Sequence, residues 1–440
     1  MNLHYSIQEN IKQQRGECYE NKKTYILSFS LLAVLLAGHI FNIPKLVLLA
    51  VVFICSSILM SKSFVSTGLL FFFFPFSYIF AYNQYSLCIF MAVAYILRSV
   101  SKGKIYIKAF YTILLLTYCF FFANYEIGNV KLGTMISPIL ISLVIFVCEE
   151  TSQSEYPTMI DFFKNGFIIS AIVGLFKDQI PSIARLFDLD FVNDAGTVDP
   201  NVFQRYFGLT YDPNFFTVVN CVLITIILFT TKRFTLKEMI QLLFLVVIGF
   251  MTFSKSYLLL MTLIVGVYIL KRSRHLGRNI LLFMGAITTF VLIENLTQLD
   301  LISVTIGRIE SSAETGDLTT GRLDLWKEYI MYIIKSPRVL FLGEGFNATA
   351  LNVKAVHNSY IDFFYRFGII GSVLWIIYFV MSYRTVYKKH NGKSELATSL
   401  PLLICLFGFM FLSAFSFQQL WCCFCLSFFA MYIPKEEKSV

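Results

Sequence analysis

Charged residues are scarce in this sequence. They make up 14% of its 440 residues, whereas soluble domains contain about a quarter. Hydrophobic residues make up 57%, and the mean hydropathy is +0.69. This composition excludes an ordinary soluble domain and predicts a membrane protein that crosses the bilayer many times. The 47 Phe and 24 Tyr favour extensive lipid-facing and interfacial packing.

Arrangements of residues that bind metals or nucleotides are also missing. The cysteines of WCCFC (421–425) have the wrong spacing for a tetrahedral metal site and lie in an apolar segment, so we expect buried, unpaired thiols. We find no acidic pair, nucleotide-binding loop or metal cluster, and we expect no cofactor. A cleavable signal peptide is not apparent, and neither is an internal repeat.

The net charge of +9 could indicate a nucleic-acid partner, but the positions of the basic residues argue against one. They cluster in short segments between apolar runs, as in KRSRHLGR (271–278) and YRTVYKKHNGK (383–393). Such clusters mark the cytoplasmic loops of membrane proteins. We therefore expect no nucleic acid among the partners.

A membrane helix needs about 20 apolar residues, and this criterion predicts an all-α polytopic fold with 12 to 14 spans. We expect one integral membrane domain over residues 1–440. If both termini lie in the cytoplasm, nearly every basic cluster falls on the cytoplasmic side. The predicted spans start near Thr24, Ile43, Phe64, Gln84, Ile105, Leu132, Thr158, Pro213, Lys237, Ser256, Asn279, Asn358, Ala397 and Phe417.

Two predicted outward segments, 177–212 and 297–357, are too long to be simple connectors. The larger one contains an amphipathic helix, with Thr320 able to cap its start and Pro337 at its end. We expect this helix to lie on the outer membrane surface. The apolar residues predicted on one of its faces are Leu323, Trp326, Ile330 and Ile333.

The segment HNSYIDFFYRFGIIG (357–371) places polar residues where a span begins. Asn358 or Ser359 can cap that helix, which leaves His357 at the positive end of the helix dipole. This position disfavours the imidazolium form and favours a neutral ring that can act as a general base. A purely structural histidine at a helix start is the alternative.

Asp362 and Arg366 are spaced i, i+4, the favoured order for an ion pair on one helix face. One interpretation is that the pair lets two charges enter the membrane edge. The other is a site role, because ionisable groups at such depth are costly.

Arg205 and Asp212 lie in FQRYFGLTYDPNFF (203–216). Asp212 followed by Pro213 predicts an N-cap and a helix start that need no further role. No nearby acid in the stretch obviously neutralises Arg205, and an outward arginine is suited to bidentate binding of a phosphate or pyrophosphate.

Two further cations have two interpretations each. Lys255, in TFSKSY (252–257), either extends to the lipid headgroups or contacts a phosphate. Arg322 is either a solvated surface residue or a second phosphate contact. Together with His357 and Arg205, these residues suit a reaction in which a hydroxyl attacks and a lipid-linked pyrophosphate leaves.

Four segments, in this order, resemble the O-antigen ligase and O-antigen polymerase superfamily of bacterial envelopes. They are RYFGLTYDPN (205–214), TFSKS (252–256), TGRLDLWKEYI (320–330) followed by LGEGFN (342–347), and HNSYIDFFYRFGIIG (357–371). The resemblance covers the central third of the chain, and the flanking spans match only in hydropathy.

This resemblance implies a metal-independent, inverting glycosyltransferase embedded in the bacterial plasma membrane. Its donor would be a glycan on undecaprenyl pyrophosphate, presented on the outer face. His357 would deprotonate the acceptor hydroxyl, and Arg205 and Arg322 would hold the pyrophosphate. Lys255 stands where the family commonly has arginine and lacks its bidentate fork. The supporting residues are Asn358, Asp212, Tyr360, Asp362 and Arg366.

Within this superfamily we expect a polymerase that joins carrier-linked repeat units into O-antigen or capsular polysaccharide. The alternative is a ligase that transfers the glycan to a lipid A core. A transporter of lipid-linked sugars is less favoured, because the notable polar residues lie at span ends rather than at the midplane. A non-catalytic scaffold is disfavoured by the two long, patterned loops. Expected partners are the carrier-linked glycan, membrane lipid, and the chain-length regulator and flippase of the same pathway.

Overall fold

The chain folds into helices, with one two-residue hairpin among the described residues. The computed structural model describes residues 2–82, 85–104, 106, 111, 136–187, 205–231, 234–271, 322–345, 356–389, 396–412 and 418–432. The α-helices are α1 (Asn2–Ile40), α2 (Pro44–Met60), α3 (Ser63–Phe73), α4 (Leu87–Ser101), α5 (Ile136–Glu150), α6 (Tyr156–Leu175), α7 (Pro181–Phe187), α8 (Pro213–Thr230), α9 (Leu236–Phe250), α10 (Lys255–Lys271), α11 (Arg322–Lys335), α12 (Pro337–Leu342), α13 (Ser359–Lys388), α14 (Leu400–Gly408) and α15 (Gln418–Met431). The hairpin pairs β1 (Ala81–Tyr82) with β2 (Tyr85–Ser86).

Several helices have the length and composition of membrane spans. Four in the described part are long and apolar enough to cross a membrane: Tyr19–Ile40, Gln153–Leu175, Pro213–Thr230 and Ser359–Lys388. Shorter apolar helices include Pro44–Met60, Ser63–Phe76, Leu87–Ser101 and Trp421–Met431. The predicted class, an all-α polytopic membrane protein, is confirmed.

The predicted count of 12 to 14 spans stays a prediction, because some of the expected spans lie outside the described residues. The predicted features that lie outside the described residues are the spans starting near Ile105 and Asn279, most of the basic cluster 271–278, Thr320, and residues 188–204, 297–321 and 346–355 of the two long segments.

Local capping explains why many helices begin where the sequence predicts. The helix expected near Lys237 starts at Leu236, because Thr235 caps it and Glu238 completes a capping box. The helix expected at Pro213 starts there, after the cap Asp212. Short polar side chains at these positions satisfy N–H groups that the helix itself leaves unpaired.

The core consists largely of aliphatic and aromatic side chains. α3 packs on α6 at Gly166, where a Cβ would lie 2.1 Å from the carbonyl oxygen of Phe72. Trp375 of α13 stacks on Trp421 of α15, with ring centroids 5.8 Å apart. The described cysteines are free thiols, buried apart from the half-buried Cys55, as expected.

Several basic residues lie together at one end of the helices. Arg98 forms a buried ion pair with Glu150 at 2.6 Å, and its Nε donates to the carbonyl oxygen of Ser61 at 2.9 Å. Lys389, at the end of α13, donates to the carbonyl oxygen of Thr151 at 3.0 Å. Lys62 pairs with Glu20 at 2.6 Å. These ties join α1, α2, α4, α5 and α13 at the end where α6 begins.

The amphipathic helix of the larger loop is α11, and the four residues predicted on its apolar face differ in their exposure. Ile333 is buried and Trp326 is half-buried against the chain, whereas Leu323 and Ile330 are 57% and 43% exposed. The side that packs inward includes Tyr329, whose ring lies 4.8 Å from that of Tyr365. This contact, between residues far apart in sequence, places a side of the helix against α13 that the sequence did not predict. The location of α11 on the outer membrane surface stays a prediction.

Candidate functional site

Arg205 lies against the turn between α9 and α10. Its Nε donates a hydrogen bond to the carbonyl oxygen of Thr252 at 3.0 Å. The N–H of Tyr206 donates to the carbonyl oxygen of Met251 at 2.9 Å. Because Lys255 is the first residue of α10, the structure brings the predicted cations Arg205 and Lys255 to the same turn.

The start of α8 is bonded to that turn as well. Asp212 caps α8 as predicted, since its side chain accepts the N–H of Asn214 at 2.5 Å and Pro213 takes the first helical position. The Oδ1 of Asn214 accepts hydrogen bonds from the hydroxyls of Ser254 (2.7 Å) and Ser256 (3.4 Å). Sequence reasoning assigned no role to Asn214 or the serines, because a bond between distant motifs leaves no local signal.

The turn itself has an unusual backbone. Phe253 has φ 46°, a left-handed conformation that bulky residues rarely adopt. Thr252 holds the turn, because its hydroxyl donates to the carbonyl oxygen of Gly249 at 2.7 Å and accepts the N–H of Ser254 at 3.3 Å. Strained backbone fixed by its surroundings is common at binding and catalytic sites, so this turn is a candidate binding element.

Arg322 begins α11 and interacts electrostatically with Asp212. Burial lowers the pKa of Arg322 from its ordinary value, and the negative charge of Asp212 acts in the opposite direction. A guanidinium stays protonated in proteins, so the two residues attract each other. The charge of Asp212, at the start of α8, is therefore near enough to the start of α11 to act on Arg322, a proximity that the sequence did not predict.

His357 is held between two hydrogen-bonded neighbours. The indole N–H of Trp326, one turn into α11, donates to the carbonyl oxygen of Val356 at 2.9 Å. On the other side, Asn358 caps α13, as predicted, by accepting the N–H groups of Tyr360 (3.0 Å) and Ile361 (3.2 Å). His357 has φ 49°, so this histidine also has a left-handed backbone that its neighbours stabilise.

The start of α13 rests on the end of α14. The N–H of Ser359 donates to the carbonyl oxygen of Phe409 at 2.8 Å, and its hydroxyl donates to the carbonyl oxygen of Leu412 at 2.6 Å. The phenol of Tyr360 donates to the carbonyl oxygen of Leu406 at 2.8 Å. Tyr360, predicted as a supporting residue, therefore anchors the helix that follows His357.

The predicted ion pair on α13 is confirmed. Arg366 Nε lies 2.7 Å from Asp362 Oδ1. The Asp362 side chain is buried and that of Arg366 is about a quarter exposed. Removing water from a charge is costly unless a partner compensates. The ion pair therefore accounts for the burial of Asp362, which is the first of the two interpretations given above.

A kink in α13 receives the LGEG segment. Gly368 has φ 60°, which breaks the helix, so the carbonyl groups of Tyr365 and Arg366 lose their usual partners one turn later. The N–H groups of Glu344 and Gly345 donate to them instead, each at 2.8 Å. The kink thus fixes α12 and the end of α11 against the start of α13.

These contacts place the starts of α8, α10, α11 and α13 at one end of the bundle. The N-terminus of a helix presents unpaired N–H groups and a partial positive charge, which favour anions. Lys255 and Arg322 are the first residues of α10 and α11, and His357 lies two residues before α13. Arg205 is bonded to the turn that precedes α10. The arrangement is suited to binding an anionic group beside a side chain that can accept a proton.

The fold and the site define a polytopic membrane protein with a cationic, histidine-containing end. Residues 240–376 match the family model Wzy_C, described as O-Antigen ligase. The match supports the O-antigen ligase and polymerase superfamily, so the resemblance predicted from the motifs is confirmed. This family suggests a glycosyltransferase-like enzyme and implies lipid-linked glycan and membrane lipid substrates.

The matched region contains Lys255, Arg322 and His357, whereas Arg205 and Asp212 precede it. Comparison with the curated proteins and with the solved structures found no match.

Trp326→Phe tests whether α11 holds the backbone at His357. The variant keeps an aromatic ring but leaves the Val356 carbonyl without its donor, a loss of about 1 kcal/mol. We expect faster hydrogen exchange in a peptide covering residues 356–362, measured by mass spectrometry. Trp421→Phe is the control, because the indole N–H of Trp421 meets no acceptor among the described residues. Equal exchange in the two variants would show that the hydrogen bond from Trp326 to Val356 does not hold this backbone.

Proposed function

We propose that this protein polymerises oligosaccharide repeat units linked to undecaprenyl pyrophosphate, on the outer face of the bacterial plasma membrane. The product would be an O-antigen or capsular polysaccharide. The observation that carries the proposal is a set of contacts among four helix starts. Arg205 and Asn214 are both bonded to the turn before Lys255. The charge of Asp212, beside Asn214, acts on Arg322, and Trp326 of the same helix holds the residue before His357. These contacts gather cations and a histidine at one end of the helices.

In the proposed reaction, His357 accepts the proton of the acceptor hydroxyl as that oxygen attacks the anomeric carbon of the donor. The bond from this carbon to the pyrophosphate oxygen breaks at the same time, so the anomeric configuration inverts. Undecaprenyl pyrophosphate leaves with the bonding electrons. Arg205, Arg322 and Lys255 stabilise the negative charge that develops on it, and no metal takes part.

Asp212 has two roles in this mechanism. It caps α8, and its charge attracts Arg322 without neutralising the site, because Arg205 and Lys255 lie at the same end. Asn358, Tyr360 and the Asp362–Arg366 pair support His357 by fixing the start of α13.

The proposed orientation puts this end outside and the Arg98–Glu150 end in the cytoplasm, together with both termini. The basic residues at the Arg98 end support it, because positive residues are enriched in cytoplasmic loops. A flippase would deliver the donor to the outer face, and a chain-length regulator would act on the growing polymer.

Ligation to a lipid A core is the second candidate, because the matched family carries the description O-Antigen ligase. Both reactions use the same donor chemistry and differ only in the acceptor hydroxyl.

Reconstitution distinguishes the two acceptors. Purified protein in vesicles is given carrier-linked repeat units isolated from the source cells, with EDTA and without a core acceptor. We expect a ladder of longer glycans and release of undecaprenyl pyrophosphate, followed by gel electrophoresis and mass spectrometry. Growth only after addition of lipid A core would identify a ligase. No transfer to either acceptor would refute the proposed enzyme.

His357→Asn tests the proposed base. Asparagine tolerates a left-handed backbone, so the variant removes the basic ring while keeping the φ of 49°. Loss of a general base lowers the rate by about 10²- to 10⁴-fold, and we expect that decrease in kcat for chain growth. The level of protein in the membrane is the control for folding. Chain growth at the wild-type rate would rule out His357 as the base.

Arg322→Gln and Arg322→Lys test the proposed contact with pyrophosphate. Removing one group that stabilises a developing anion costs about 10²- to 10³-fold in kcat, and we expect this for Gln. Lysine keeps the charge but not the fork, so it should retain part of the rate. Lys327→Gln is the matched control, because Lys327 is an exposed cation of the same helix. Equal effects of Arg322→Gln and Lys327→Gln would contradict the contact.

A further inference from the structure

Residues 205–208, the segment that carries Arg205, pack on the end of α6. The phenol of Tyr206 donates to the carbonyl oxygen of Ala171 at 2.5 Å. Three residues further along α6, Gly174 faces Gly208, and a Cβ on Gly174 would lie 2.6 Å from the Gly208 Cα. After another three residues, Lys177 lies beneath the ring of Phe207. The spacing of three places these contacts on one side of the helix end.

Lys177 is an unusual residue for this position. Its ammonium nitrogen lies 3.0 Å from the centroid of the Phe207 ring and 5.7 Å from that of Phe187, and the residue is 6% exposed. Burial lowers the pKa of Lys177 to about 8, and the charge of Asp178 acts in the opposite direction. A desolvated cation–π contact contributes about 2 kcal/mol, whereas burying an ammonium costs several. Stability alone therefore does not explain a lysine at this position.

The location of the contact suggests what it does. Phe207 is two residues after Arg205, and the Nε of Arg205 is bound to Thr252 on the other side. The segment is therefore fixed at both ends, by the α9–α10 turn and by α6. Since α6 and residues 205–208 precede the region 240–376 that matches the family model, these packing contacts lie in the unmatched part of the chain.

We propose that Lys177 is a positioning residue, which holds Phe207 by a cation–π contact and thereby directs the Arg205 guanidinium toward the pyrophosphate of the donor. The inference rests on the proposed function, because it needs Arg205 to bind that group. Lys177 itself does not touch the substrate. Its role is to set the position of a side chain that does.

Lys177→Met and Lys177→Arg test the proposal in the chain-growth assay. Methionine fills similar space without the charge, and small displacements of a binding group can cost on the order of 10²-fold. We expect a decrease in kcat of about 10-fold or more for Met, with an unchanged or higher melting temperature because a buried charge is removed. Arginine also stacks on aromatic rings and should restore most of the rate.

The same substitution in an Arg205→Gln background separates positioning from a general structural role. If Lys177 acts through Arg205, Lys177→Met should lower the residual activity of Arg205→Gln by less than twofold, measured over long incubations. A decrease as large as in the wild-type background would overturn the inference, as would failure of Lys177→Arg to restore activity. Full activity of Arg205→Gln alone would instead refute the pyrophosphate contact in the proposed function.

Gly174→Ala tests the packing of residues 205–208 on α6 without changing a charge. Its Cβ would press on the backbone of Gly208 and displace the Arg205 segment, so we expect a loss of chain growth similar to that of Lys177→Met. Gly266→Ala is the control, because a Cβ there meets nothing within 4 Å and alanine favours a helix. A folded Gly174→Ala protein with the activity of the Gly266→Ala control would show that the packing of residues 205–208 on α6 does not position Arg205.

Discussion

Helix N-termini are the constraint on which this site depends. The first N–H groups of a helix have no partner within it, and they are hard to satisfy at the edge of a bilayer. This protein gathers four such starts at one end, and the side chains of Asp212 and Asn358 cap two of them. These starts also carry partial positive charge, which adds to the charges of Lys255 and Arg322 in favouring an anion at this end.

Long-range hydrogen bonds convert the separate starts into one site. Asn214 joins α8 to the α9–α10 turn, and Trp326 joins α11 to the residue before His357. Each bond is made by a neutral side chain, so it adds precision without altering the charge of the site. The cations and the histidine are then positioned by residues that need not react, which is the usual division between a binding group and its support.

The sequence predicted features that depend on neighbours along the chain. The caps at Asp212 and Asn358 and the Asp362–Arg366 pair follow local rules of helix geometry, and the structure confirms them. The Asp212–Arg322 interaction and the Lys177–Phe207 contact could not be found this way, because they join distant segments. The inward side of α11 was not predicted for the same reason: Tyr329 is drawn to Tyr365 by packing that periodicity does not encode.

The kink at Gly368 divides α13 into two parts of different length. The part after the kink ends in the basic residues Arg384 and Lys388, so its apolar stretch, 369–382, is only about 21 Å long. A span needs about 30 Å, so part of the helix before the kink must also lie in the membrane. There, water cannot satisfy the carbonyl groups that the kink frees. The N–H groups of Glu344 and Gly345 do so instead, which makes the LGEG segment part of the hydrogen bonding of the span itself.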